Sequence, residues 1–287
     1  MILSKPPASA IALEFSISNK LFSGQNTKKS IKISRVPDGT RIIVTSDQQI
    51  PFQDDALLDT IYGTFAKDFK PKTGDYHNFF NGDFLDLFSL SRFPANVKRK
   101  FTLADEVAMG RERLERWSKY FTHKHFGFGN LEARWDKTAF ATNPETAEFN
   151  TTLDKALGLE ELGYDWVPYQ KHYDFMGFII THGDSTVKYA AAKMYDQYHR
   201  SGTSGHVNRP QSFTFANAAS GDPDTWYCTG YTCDKNIGDY IKDWARNMPW
   251  QQAFLIGEVS GGVLHVDLVR VHHGRFFAAG KMYTVGE

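Results

Sequence analysis

Residues that suit divalent-metal chemistry recur at the ends of apolar runs in this sequence. "IIVTSD" closes on Asp47, "FFNGD" on Asp83, "FGFGN" on Asn130 and "FIITH" on His182, and His206 follows in the glycine-bearing turn "SGHVNRP". Two carboxylates, an amide oxygen and imidazole nitrogens are hard-to-borderline ligands, suited to Mn, Fe, Zn or Mg. Gly82, Gly129 and Gly183 stand beside three of these residues, where the missing Cβ lets the backbone turn sharply. Acids and glycines also end strands simply as turn formers, and each residue taken singly fits that ordinary role. Their recurrence at successive strand ends points to a shared site.

Those ends need strands that finish together, and the periodicity supplies them. "RIIVTSD" reads as a short apolar strand, followed by a helix that opens at Asp54 and Asp55 and buries Leu58, Ile61, Phe65 and Phe69. "HNFFNGD" is a second strand. The spacing of Leu103, Val107, Gly110, Leu114, Trp117 and Phe121 predicts a helix over 102–121, with Arg111, Arg113 and Arg116 on a solvated face. "HFGFGN" is the third strand, so the alternation predicts parallel strands joined by crossovers. Ligands in such sheets bind beyond the carboxyl ends of the strands. A helix is expected over 144–157, capped by Asn143 with Pro144 in its first position. Strands around Trp166 and over 175–180, then a helix over 187–198, follow. The last third is β-rich: "SFTFA", "TWYCTGY", and "AFLIGEV" joined to "VLHVDLVRV" through "SGG". Two sheets are expected in one α/β domain spanning 41–287. Residues 1–40 differ: Ile11, Leu13, Phe15 and Ile17, then Ile31 and Ile33, alternate around "SGQN". They read as an extended β-ribbon, an edge addition or an arm for a protein partner.

The totals narrow the classes. The chain has 287 residues, 41% hydrophobic, enough for one large core. Thirty-three basic side chains balance thirty-three acidic ones, so no global field favours a long nucleic-acid tract or a membrane surface. Cys228 and Cys233 match no zinc spacing and read as reduced thiols of a cytosolic protein. No apolar run approaches a bilayer span, and Pro6 and Pro7 interrupt anything like a signal peptide.

In order, "SDQQ", "NGDFLD", "GNLEAR", "THGD" and "GHVNRP" resemble the motifs of the calcineurin-like metallophosphoesterases, which run D-x-H, G-D-x-x-D, G-N-H-E, a lone H and G-H-x-H. The similarity spans about residues 41–275, and "FLDLFSLSRF" and "WQQAFLIGEV" are similar to members common in bacteria and phages. The resemblance implies a four-layer αββα sandwich. It also implies a two-metal centre that clamps a phosphate and activates water for in-line attack, hydrolysing phosphomonoesters or phosphodiesters, nucleic acid included in nuclease members.

Carried over residue by residue, Asp83 bridges two metals. One metal takes Asp83, Asn130, His182 and His206, all of the family's residue types. The other would take Asp47, Gln49, Asp83 and Asn208, where Gln49 and Asn208 replace histidines. Leu131 replaces the catalytic histidine. A leucine neither donates a proton nor hydrogen-bonds, and general-acid help is typically worth ~10²–10⁴ in rate. The resemblance thus implies one firmly held Mn, Fe or Zn, a weak or lost second position favouring hard cations, and impaired hydrolysis; the alternative is an inactive binding or structural component. His123, His125 and His199 are candidates to replace the missing histidines, or ordinary histidines. Arg92, Arg134 and Arg209 stand beside motifs, either to contact phosphate or to pair with Asp86 or Glu132.

Overall fold

The computed structural model describes residues 29–91, 100–142, 151–216, 221–234 and 248–287. Ile11, Leu13, Phe15 and Ile17 of the expected ribbon, Arg92, and the Asn143–Pro144 helix start lie outside these residues.

Two six-stranded mixed sheets form the framework. The first has the order β12-β11-β2-β3-β4-β5. Here β2 (Arg41–Thr45), β3 (Tyr76–Asn81), β4 (His123–Gly127) and β5 (Tyr164–Val167) run parallel. β11 (Ala253–Ser260) and β12 (Val263–Arg270) add an antiparallel hairpin beside β2. The second sheet has the order β1-β6-β7-β8-β10-β9. It contains β1 (Ile31–Ile33), β6 (Tyr173–Phe175), β7 (Phe178–Ile180), β8 (Gly202–Ser204), β9 (Gln211–Ala216) and β10 (Pro223–Cys228). β1 pairs in parallel with β6 at the sheet's edge. A hairpin, β13 (Arg275–Ala278) with β14 (Lys281–Thr284), closes the chain.

Strand alternation sends neighbouring side chains to opposite faces. Ile42 and Val44 of β2 join Phe79, Leu255, Tyr173, Phe175 and Ile180 in a cluster between the two sheets. Ile43, Phe80, Phe126 and Phe254 face the other way, onto helices and the terminal hairpin. On the far face of the second sheet, Ile179, Trp226 and Cys228 pack against α5 (Ala190–Tyr198).

The helix after β2, α1, runs Asp55–Asp68 and contains a wider π turn at Thr60–Phe65. Asp54 caps it, its carboxylate accepting from the Leu57 amide at 3.0 Å. α2 (Leu103–Trp117) begins with a reciprocal capping box between Thr102 and Asp105.

Three local expectations are corrected. The segment read as one strand over 175–180 is a hairpin, because Met176 and Gly177 take positive φ (54° and 92°) and reverse the chain. Around the expected 144–157 helix there are two described helices, α3 (Ala133–Thr142) and the short α4 (Leu153–Leu157). The α2 arginines are also not merely solvated: Arg113 grips Asp55 in bidentate fashion at 2.8 and 2.9 Å, and Arg116 pairs with Asp59, tying α2 to α1.

Candidate metal centre

Asp47, Asp83 and Asn130 follow β2, β3 and β4 of one sheet, whereas His182 and His206 follow β7 and β8 of the other. Asn81, the last residue of β3, joins the two sheets: its amide donates to the Thr181 carbonyl at 2.8 Å, and its own carbonyl meets His182 Nδ1 at 2.9 Å. With Nδ1–H donating there, Nε2 is turned inward, 3.3 Å from Asp83 Oδ2 and 3.2 Å from Asn130 Oδ1. Donor atoms of Asp83, His182 and His206 lie within 4.8 Å of one another. The His182 and His206 rings meet edge to face with centroids 5.3 Å apart.

Backbone shape makes this convergence possible. Asp47, Gln49, Asp83, His206 and Asn208 all have left-handed φ, between 51° and 69°. Non-glycine residues adopt that region at a cost and chiefly where surrounding structure enforces it, often at functional sites. Close approach also requires glycine, as at Gly82 and Gly129. A Cβ on Gly82, itself at φ 86°, would lie 2.5 Å from His182 Nδ1, and one on Gly129 would overlap the Asp83 carboxylate.

Hydrogen bonds hold the carboxylates. The Leu131 amide donates to Asp83 Oδ1 at 2.9 Å, and the His206 amide and the Ser46 hydroxyl donate to Asp47 Oδ2 at 3.1 and 2.5 Å. Buried Glu132 accepts from the amides of Asp83, Leu85 and Gly129 at 2.9, 2.8 and 2.7 Å, fastening the loops after β3 and β4 to each other.

The electrostatics follow from burying these groups together. Burial works against the His182 imidazolium, but Asp83 and Asp47 outweigh it and raise its pKa to about 10. Asp83 shows the converse: burial opposes its charge, and His182 with the Leu131 amide still lowers its pKa. Burial raises Asp47 to about 7, and burial with the nearby Asp83 charge raises Glu132 to about 7. His206 is lowered by burial and by His182. Among the described residues, Asp47 Oδ1, His206 Nδ1 and Asn208 Oδ1 are buried with no hydrogen-bond partner. Leaving such atoms unpaired costs free energy, which a bound cation would remove.

Other expected site residues are placed differently. Arg134 donates to the Asp86 carbonyl at 2.8 Å rather than to a carboxylate. Arg209 donates to the Val187 carbonyl at 2.9 Å and lines a cleft of about 250 Å³ with Thr186, His206, Asn208, Met248 and Trp250. Leu131 is buried and contributes its amide alone to Asp83. His123 and His125 lie away from Gln49, Leu131 and Asn208, because they open β4 and the site lies beyond its carboxyl end. His199 ends α5 in a left-handed conformation.

Sequence reasoning missed Asn81, Tyr169 and the setting of Cys233. The Tyr169 ring is 6.5 Å from that of His182, and burial with the Asp184 and Asp83 charges raises its pKa, keeping the phenol a donor. The buried Cys233 thiol donates to Gln49 Oε1 at 3.8 Å, and burial and the Asp47 charge push its pKa well up. Neither residue lies in a recognisable motif, so no sequence signal marked them.

No family model matches the chain. It is 26% identical over 265 residues to the Gene 54 protein of Mycobacterium phage L5, covering 85% of this chain and 99% of that protein. Its shape is similar to that of Vacuolar Protein Sorting 29 from Cryptosporidium parvum, with 11% identity, 86% of this chain and 100% of that chain covered, and a TM-score of 0.46. A cold-active protein-tyrosine phosphatase of a Shewanella species matches with 12% identity, 91% and 83% coverage and a TM-score of 0.38. Likenesses this distant carry no functional argument.

Proposed function

We propose that this chain is a calcineurin-like metallophosphoesterase of bacterial or phage type, with a hydrolytic centre impaired by replacement of its key histidines. The three stacked apolar clusters support the four-layer αββα reading. The observation that carries the function is the convergence of Asp83, Asn130, His182 and His206 from both sheets around His182 Nε2.

These residues fit a divalent cation. Asp83, Asn130, His182 and His206 would hold it, and a carboxylate, an amide oxygen and two imidazoles suit Mn, Fe or Zn. Asp47, Gln49 and Asn208, with Asp83 shared, would form the weaker position, where the unpartnered oxygens of Asp47 and Asn208 suit a harder ion. When bound, the metal supplies Lewis-acid polarisation of a phosphoryl oxygen and a more acidic water. With the ion bound, Asn81 would accept from His182 Nδ1–H and keep Nε2 turned inward, while Leu131 and Glu132 hold the Asp83 loop. The cleft beside His206 admits a phosphate-bearing ligand near Arg209. What is missing is a proton donor at Leu131, whose buried side chain can neither donate a proton nor hydrogen-bond.

A second reading, a binding or structural component without hydrolysis, is favoured by Leu131 itself. Metal counting and a chromogenic phosphodiester assay with Mn²⁺ test the pair of readings. The triple variant Leu131→His/Gln49→His/Asn208→His is expected to exceed the natural chain by ~10²-fold or more. Equal, substantial rates in both would refute impairment, and a chain that takes up no metal at the Asp83 position would refute the phosphoesterase reading.

A further inference from the structure

We propose that Asp75, His77 and His123 form a separate binding site for a borderline divalent metal, of the Zn²⁺, Ni²⁺ or Cu²⁺ class, at the amino end of the β3–β4 pair. The site does not depend on the phosphoesterase reading. It lies at the opposite end of the same strands: His77 is separated from Asn81, the last residue of β3 before the Asp83 loop, by roughly 13 Å at the rise of an extended chain.

Strand register builds it. His77 on β3 stands directly opposite His123 on β4, so both rings leave the sheet on the same face, with centroids 4.5 Å apart. Asp75 precedes His77 by two residues. One donor atom from each of the three side chains lies within 4.8 Å of the others, with His123 Nε2 and Asp75 Oδ1 3.7 Å apart.

The feature that points to a ligand is His77. Its side chain is buried against Phe79 and Phe175, yet Nε2 has no hydrogen-bond partner. Nδ1 is engaged by His125 Nε2 at 2.9 Å. Metal binding selects the tautomer in which His77 Nδ1–H donates to His125, leaving the Nε2 lone pair free. This is the outer-partner arrangement that orients ligating histidines in metal proteins. His123 and Asp75 are both exposed enough, at 49% and 39% of their side-chain surface, to reorient around the fixed His77 ring. Two imidazoles and one carboxylate match the donor set of borderline first-row ions, and the exposed side leaves positions for water. Bound there, the ion would pin the Asp75 turn to the β3–β4 edge and stabilise the fold by mass action.

The test is zinc stoichiometry by elemental analysis, with thermal melts in chelator and in added Zn²⁺, on the full chain and on His123→Ala and Asp75→Asn. A His182→Ala background separates this site from the other one. In both backgrounds His123→Ala is expected to bind one zinc fewer per chain and to lose most of the zinc-induced rise in Tm. Asp75→Asn, nearly isosteric and secure in folding, is expected to bind at least about tenfold more weakly at this site. Equal zinc counts and equal melting shifts in the full chain and both variants would overturn the proposal, as would a His182→Ala protein that binds no zinc.

Discussion

The carboxyl and amino ends of the parallel strands β3 and β4 carry similar side chains in opposite settings. Beyond the carboxyl end, Asp83, His182 and His206 sit on loops from two sheets, with left-handed φ at Asp83 and His206 and amides aimed at the carboxylates. At the amino end, His77, His123 and His125 stand within or at the start of extended strands; register stacks His77 on His123, and a 2.9 Å contact joins His77 Nδ1 to His125 Nε2. At the carboxyl end the His182 imidazole lies 3.3 Å from the Asp83 carboxylate, and Asp83 with Asp47 raises its pKa. At the amino end burial keeps imidazoles neutral: His77 is lowered to about 3 by burial and by His123, and His125 is lowered by burial and by its histidine neighbours. A buried histidine thus has its pKa raised where carboxylates outweigh burial, as at His182, and lowered where they do not, as at His77 and also at His206.

The largest test of this contrast is Asp83→Asn, which removes the main partner of a buried imidazolium. A loss of about 3 kcal/mol is expected at neutral pH, together with loss of tight metal binding. Urea unfolding and metal titration would show it, and unchanged stability would mean that His182 is neutral. Next comes Glu132→Ala, which strands three buried amides at the loops behind the site. It should cost about 2–3 kcal/mol, whereas the same readout on an exposed glutamate such as Glu115 should barely move.

The pH dependence distinguishes the two ends by sign. His182 is raised in the fold, so its contribution is complete below about pH 6.5 and is lost as pH rises towards 10. His77 is depressed, so its contribution is present above about pH 6.5 and is lost as pH falls towards 3. Chelator-treated protein should therefore weaken on both sides of neutrality, with His182→Gln flattening the alkaline limb and His77→Phe the acid limb. Metal uptake at the carboxyl end should release protons at pH 7, because the ion displaces the His182 proton; calorimetry in buffers of different ionisation enthalpy would read this. The smallest expected effect is Arg113→Ala, about 1 kcal/mol, since its Asp55 partner is half exposed.

Much of the candidate centre was legible because metal ligands and turn residues share positions at strand ends. Asp83, Asn130, His182 and His206 stand out in sequence for that reason. Asn81 did not stand out, since an asparagine ending a strand has no pattern that says it reaches across to Thr181 and His182. Pairing of Glu132 with an arginine was one of two alternatives, and its role at the loops was hidden because two of its three amide donors, Asp83 and Leu85, lie 49 and 47 residues away. The solvated reading of Arg113 failed for a related reason: helical periodicity identifies the polar face of α2 but not that Asp55 of α1 lies against it.

The amino-acid order by itself determined most of the alternation of strands and helices and the apolar faces they bury, because these depend on local periodicity. Only the tertiary structure decided that strand ends from two sheets meet at His182, that five loop residues adopt left-handed backbone there, and that His77 and His123 stand side by side. Those facts depend on strand register and sheet-to-sheet packing, which bring together residues separated by dozens of positions and leave no trace in any short stretch of chain.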